Sequence, residues 1–195
     1  MKNQLLTILS LLVVSVFTGF KNPDAVFLAD TEASQLKWTG YHLAKSYEHT
    51  GFIKLKSGKL TTNNGIITSG EFLIDMNSIT NTDITDAGKN GKLVGHLKSP
   101  DFFDVASNPE AKLVITKSVS TGNGTLKATG DLTIRGITKT IEFEAKLTES
   151  GNKVEVTADL KVVRTDFKVM YGWSVENVMI SSEFRIEIKI IASKQ

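Results

Sequence analysis

From Thr125 to Leu147 apolar and polar residues change places at almost every step. Leu126, Ala128, Gly130, Leu132 and Ile134 fall on one side of the chain, and Lys127, Thr129, Asp131, Thr133 and Arg135 on the other. Beyond Gly136 the alternation resumes, with Ile141, Phe143, Ala145 and Leu147 set against Thr140, Glu142, Glu144 and Lys146. A period of two gives each strand one apolar face and one wet face. The link Arg135–Lys139 holds one glycine able to take positive φ, so the two strands are expected to fold back as an antiparallel pair. A two-stranded ribbon cannot cover its own apolar face, and further strands must close over it.

The same pattern recurs along the chain. Val26-Phe27-Leu28 reads as the beginning of a strand before Asp30. Leu36, Trp38 and Gly40 share a face, as do Ile53 and Leu55, then Gly70, Phe72, Ile74 and Met76, then Leu113, Ile115 and Val119. Val154, Val156, Ala158, Leu160 and Val162 alternate cleanly, and Phe184, Ile186, Ile188 and Ile190 close the series. Asn63-Asn64-Gly65, Gly122-Asn123-Gly124 and Ser150-Gly151-Asn152 are hairpin signals, because Asn-Gly tolerates the positive φ of a type I′ turn. Thr80–Gly91 reads as a loop, and Lys92–Lys98 as a short helix that Pro100 ends. Phe102 and Phe103 stand side by side in a connection. A strand would bury only one of two neighbours, whereas a turn can push both inward, as a lid or as a fixed end-plug. About eight long strands and one short helix make an all-β antiparallel barrel or sandwich, and the pattern leaves both open.

The first residues depart from this pattern. Met1 to about Phe20 has a basic tip at Lys2 and an apolar run from Leu5 to Phe17, the form of a signal peptide, and is short for a membrane span. Residues 1–20 are therefore expected to be a leader that exports the chain to a periplasm or the medium, with residues 26–191 as one folded domain. The chain has no cysteine, which excludes disulfides, thiolate metal sites, a cysteine nucleophile and a lipidated N-terminal cysteine. Its net charge is +2, without any block of Lys or Arg, so nucleic acid is not an expected partner.

The succession Gly95-His96-Leu97-Lys98-Ser99-Pro100-Asp101-Phe102-Phe103-Asp104 resembles the YceI-like family of exported, lipocalin-like proteins. Further matches, in order, are Ser34–Trp38, His49-Thr50-Gly51, Phe72–Met76, Gly130–Thr138 and Arg164-Thr165-Asp166-Phe167. Together they span roughly Val26 to Ile191. The resemblance implies an eight-stranded antiparallel, lipocalin-like barrel holding a polyisoprenoid or similar long apolar chain, such as a quinone tail. It thus selects barrel over sandwich. The chain departs from the family at Lys168, where many relatives carry glycine, and in the loop Met170–Asn177.

On this reading the inward rows supply the candidate ligand walls: Leu36, Trp38, Ile53, Leu55, Phe72, Ile74, Leu132, Ile134, Phe143, Leu160, Phe184 and Ile186, with Phe102 and Phe103 as lid or plug. From the residues alone the rows serve equally as ordinary core, because an eight-stranded barrel is either filled by side chains or holds one small ligand. Gly40, Gly70, Ala128 and Gly130 on those rows are expected to leave space. Each buried CH₂ is worth about 0.8 kcal/mol, so a five-carbon prenyl unit contributes roughly 4 kcal/mol gross. No charged headgroup partner is then required, and specificity is expected for length and shape. Met170, Tyr171 and Trp173 are placed either at the entrance, where they line it or touch membrane, or in an ordinary surface loop. His42, His49 and His96 are dispersed, so no metal site is expected, and no cofactor is implied. Arg135 and Arg164 are expected to pair with Asp131 or Asp166, or else to meet a phosphate. There is no Gly-x-Ser-x-Gly elbow or Gly-rich phosphate loop. The reading is therefore a non-catalytic binder, with an enzyme acting on an isoprenoid lipid, or a solid-barrel interaction module, as alternatives.

Overall fold

The computed structural model describes residues 23–43, 47–170 and 179–195. The expected leader, residues 44–46 of the polar connection, and Tyr171 and Trp173 lie outside the described residues. The strands are β1 (Ala25–Ala29), β2 (Gln35–His42), β3 (Glu48–Asn63), β4 (Ile66–Asp75), β5 (Glu110–Gly122), β6 (Thr125–Ile134), β7 (Ile137–Ser150), β8 (Lys153–Val163) and β9 (Ile180–Lys194), with the helix α1 (Ala87–Lys98) between β4 and β5. All pair antiparallel. The sheet runs from β2 through β9 and β8 down to β4, and β4 pairs with β3 to close the ring. β1 adds no stave of its own. It pairs with β3 over Ala25–Leu28 and with β9 over Phe27–Ala29, so β1 and β2 occupy one position in succession. The result is a closed eight-stranded barrel.

The hairpin chemistry follows the turn residues. Asn64-Gly65 and Asn123-Gly124 both take positive φ, as a type I′ turn demands. Arg135-Gly136 does the same, at φ 51° and 69°. The expected five-residue link is therefore only two residues long, and Thr138 and Lys139 already belong to β7, with Lys139 directly opposite Leu132. The helix is also longer than its apolar spacing predicts. The Asp86 side chain accepts the Lys89 N–H at 2.8 Å, and this N-cap starts α1 at Ala87 despite Gly88, Gly91 and Gly95.

One end of the barrel is solid. Leu60, Ile67, Leu126, Ala128, Val154 and Ala192 are fully buried there, beneath Phe27. The opposite end carries α1 and the longer connections. Near that end the ring is not laddered throughout: β7 and β8 pair from Ser150–Lys153 only up to Ala145–Ala158. Beyond that fork, β7 continues its pairing with β6 and β8 with β9, but not with each other. The 3₁₀ turn Arg164–Phe167 packs against β7 and β9, with Phe167 and Val169 fully buried.

Candidate functional site

Between the solid floor and the α1 end lies a cavity of about 140 Å³. Its accessible wall is entirely apolar. β2 contributes Leu36, Trp38 and Gly40, β3 Ile53, β4 Ile74, β5 Ala111 and Leu113, and β6 Leu132 and Ile134. β8 contributes Leu160 and Val162, and β9 Phe184, Ile186 and Ile188. Met76, Ile79, Leu97, Phe102 and Phe103 come from the connection between β4 and β5.

Of the residues anticipated as ligand walls, Leu55, Phe72 and Phe143 do not reach this cavity. The Phe72 ring instead fills the space of two glycines. A Cβ on Gly58 would fall 2.7 Å from that ring, and one on Gly70 3.1 Å from it. At Gly130 a Cβ would fall 2.8 Å from the Val114 carbonyl, so this glycine permits close backbone approach rather than leaving void. Gly40 alone of the expected gaps opens into the cavity. Phe143 stands on β7 beyond the fork and is half-buried. Met76, Leu113, Val162 and Ile188 follow the alternation, but their depth along the barrel is set by a register that the sequence does not display. Ile79 stands in a polar run with no periodic signal.

The mouth is closed by a tight turn after α1. Phe102 N–H donates to the Ser99 carbonyl and Phe103 N–H to the Leu97 carbonyl, at 3.0 and 3.1 Å. This turn aims both rings inward. Phe102 and Phe103 meet edge to face at 5.1 Å, His96 edges onto Phe102 at 5.7 Å, and Phe103 reaches Phe184 at 6.2 Å. Burial holds the His96 imidazole below its ordinary pKa, with Asp101 acting weakly in the other direction. Arg135, at the tip of the β6–β7 hairpin, donates from Nη1 to the carbonyls of Phe102 and Lys168, tying the lid turn to the far rim. Arg164 is buried and donates to the carbonyls of Ser181, Val169 and Ile180. The expected partner Asp131 instead accepts from Thr140 Oγ1 at 2.7 Å.

A second staple holds the rim beside β3. The Thr80 N–H donates to the Phe52 carbonyl and the Thr82 N–H to the Thr50 carbonyl, both at 2.9 Å. Trp38 turns its apolar ring to the cavity and satisfies Nε1 on the Thr80 carbonyl at 2.9 Å. His49 Nδ1 lies 2.7 Å from Asp83 Oδ2, and Asp83 Oδ1 accepts the Thr50 N–H at 2.7 Å. Burial pulls the Asp83 carboxyl upward, but these bonds and that from Asn81 outweigh it and hold the group below its ordinary range. Gly51 faces Trp38 across the ladder, and a Cβ there would fall 1.9 Å from the Thr80 carbonyl oxygen. The motif His49-Thr50-Gly51 therefore lets the Ile79–Asp83 segment lie directly on β3. Among the described residues no three His, Asp or Glu side chains converge as a metal site requires.

An eight-stranded barrel with a dry interior and an aromatic closure defines a class of small-molecule-binding barrels. Residues 27–192 match the YceI-like domain, and the chain belongs to that family. It is 31% identical over 150 residues to a UPF0312 protein of Vibrio campbellii, covering 72% of each chain. It is 34% identical over 122 residues to UPF0312 protein VPA0850 of Vibrio parahaemolyticus, covering 58% of this chain and 61% of that one. Among solved structures it is similar to BcnA of Burkholderia cenocepacia, with TM-score 0.72 and 20% identity over 85% of this chain and 99% of the other. It is also similar to a polyisoprenoid-binding domain from Saccharophagus degradans implicated in plant cell wall breakdown, with TM-score 0.65 and 16% identity over 88% and 99%. At these identities the two structures share the fold.

Proposed function

We propose that this chain binds a polyisoprenoid or similar long-chain apolar lipid, such as a quinone tail, inside its barrel, and stores or carries it without catalysing its conversion. The observation that carries this reading is a cavity with no polar surface at one end of a barrel whose other end is solid. A cavity of about 150 Å³ with apolar walls stays dry and accepts a molecule of benzene size. The closed form described here therefore holds roughly one prenyl unit, and a longer chain enters as Phe102 and Phe103 swing out. The polyisoprenoid-binding domain of the same fold supports the ligand class. The basic tip and apolar run of residues 1–20, read as a leader, support work in the cell envelope. Leu43, Tyr47, Met170 and Met179 are exposed apolar side chains at the cavity end, suited to transient membrane contact during loading. The test is gentle purification of the exported protein followed by extraction and mass spectrometry. A stoichiometric prenyl or other long-chain lipid supports the reading, and repeated recovery of an empty protein that also fails to take up added lipid refutes it.

A further inference from the structure

Lys139 occupies a place no lysine should hold in a closed barrel. It faces Leu132 across the β6–β7 ladder, and cross-strand partners project from the same face of a sheet, their Cβ atoms roughly 5 Å apart. Leu132 lines the cavity, so Lys139 stands on the interior row, between Ile137 and Ile141. It is nevertheless exposed, because β7 and β8 part company above Ala145–Ala158. The cavity reaches the same seam from the β8 side. Leu160 and Val162, on the stretch of β8 that β7 has left, both line it, and so does Ile188, the partner of Ala158 at the fork. The outward lysines Lys112, Lys127 and Lys189 each face a glutamate, whereas Lys139 has no such ion pair among the described residues. The nearby carboxylates Glu142 and Glu144 project from the opposite face of β7, and Glu142 is engaged by Lys127.

We infer that Lys139 receives an anionic headgroup, a phosphate or a carboxylate, of an amphiphile whose apolar chain lies in the cavity, with the headgroup held at the seam between β7 and β8. The inference rests on the proposed lipid-binding function and revises the expectation that the head goes unread. An ammonium on a four-carbon stem suits this position: the stem covers the apolar edge of Leu132 while the charge stays in water. The competing explanation is that Lys139 only protects the unpaired edge of β7 from pairing with another chain, as inward-pointing charges do on sheet edges.

The experiment compares a C20 prenyl alcohol with its monophosphate, and a long-chain fatty alcohol with the corresponding fatty acid, by displacement of a fluorescent apolar probe from the mature chain at low salt. The wild type is expected to bind the anionic member of at least one pair roughly tenfold more tightly, as a charge-assisted contact at a partly solvated site should provide. Lys139→Gln should erase that preference and leave the alcohols unchanged, Lys139→Arg should keep it, and added salt should shrink it. Preference in the prenyl pair alone identifies a phosphate head, and in the fatty pair alone a carboxylate. Equal affinity within both pairs, or a preference that survives in Lys139→Gln, overturns the headgroup inference and leaves the lipid cavity standing. Association of Lys139→Gln into higher oligomers with ligand preference intact establishes the edge-protection role instead. Failure of all four compounds to bind overturns the lipid reading itself.

Discussion

Gly51→Ala places a methyl group where the backbone of a neighbouring segment already runs. The added carbon would fall 1.9 Å from the Thr80 carbonyl oxygen, 2.7 Å from its carbonyl carbon and 2.9 Å from the Asn81 Cα. None of these atoms belongs to a side chain that can rotate away, so the Ile79–Asp83 segment must lift off β3. The bonds at stake are Thr80 N–H to the Phe52 carbonyl, Thr82 N–H to the Thr50 carbonyl, Trp38 Nε1 to the Thr80 carbonyl and Asn81 Nδ2 to the Thr50 carbonyl. Losing two or three of them at about 1 kcal/mol each puts the cost at roughly 2–3 kcal/mol. For a domain of this size that corresponds to a Tm lower by roughly 5–12 °C. Because Ile79 and Trp38 line the cavity, bound lipid should leave faster too. Thermal and urea unfolding of the lipid-free protein measure the first effect, and stopped-flow release of a fluorescent lipid the second. A Gly51→Ala protein melting within a degree of wild type would show that the segment does not press on β3, and would refute the reasoning.

Ile53→Trp should fill the cavity, cutting lipid capacity at least tenfold while overpacking costs only about 1–3 kcal/mol; unchanged uptake would place the ligand elsewhere. Lys168 sits in the left-handed region at φ 54° and ψ 29°, which disfavours a side chain. Lys168→Gly should therefore raise stability by about 0.5–1 kcal/mol in urea unfolding, and a loss would show that its side chain is needed. His42 and His96 are both held below the ordinary imidazole pKa, first by burial, with His49 adding repulsion at His42 and Asp101 opposing the shift at His96. As pH falls from about 7 through the unfolded value near 6.5, the unfolded chain takes up protons the folded one refuses, so stability should decline. A Tm series from pH 7.5 to 5 should show that decline flattened in a His42→Gln/His96→Gln double variant; a flat wild-type profile would contradict it.

The fold was legible wherever burial alone dictates residue choice. Alternation at Leu126–Ile134 and Val154–Val162 identifies strands, because one face of each must be dry, and Asn64-Gly65 and Asn123-Gly124 identify turns, because they must be left-handed. Depth within the barrel was not legible. Phe72 and Ile74 sit on the same row, yet one fills the floor while the other faces the cavity, and only the register against Gly58 and Leu55 separates them. Arg164 shows a different limit. Main-chain carbonyls of Val169, Ile180 and Ser181 accept from its buried guanidinium, and a main-chain carbonyl leaves no mark in residue identity. Ile79 was invisible for a related reason: it enters the wall on a connection held by backbone bonds and by the absence of a side chain at Gly51. Lys168 is the reverse case. The resemblance marked this position as a departure, and the left-handed backbone supplies the physical reason a side chain is disfavoured there.

A hoop riveted along its full height has one girth, because strand number and stagger fix its diameter. This one is riveted between β7 and β8 only as far as Ala145 and Ala158. Its base therefore has a fixed calibre, while the bore above is held by side-chain packing, by the Arg135 tie and by the Phe167 wedge. Widening that bore breaks no ladder, so guests of different thickness can be gripped by one and the same sheet.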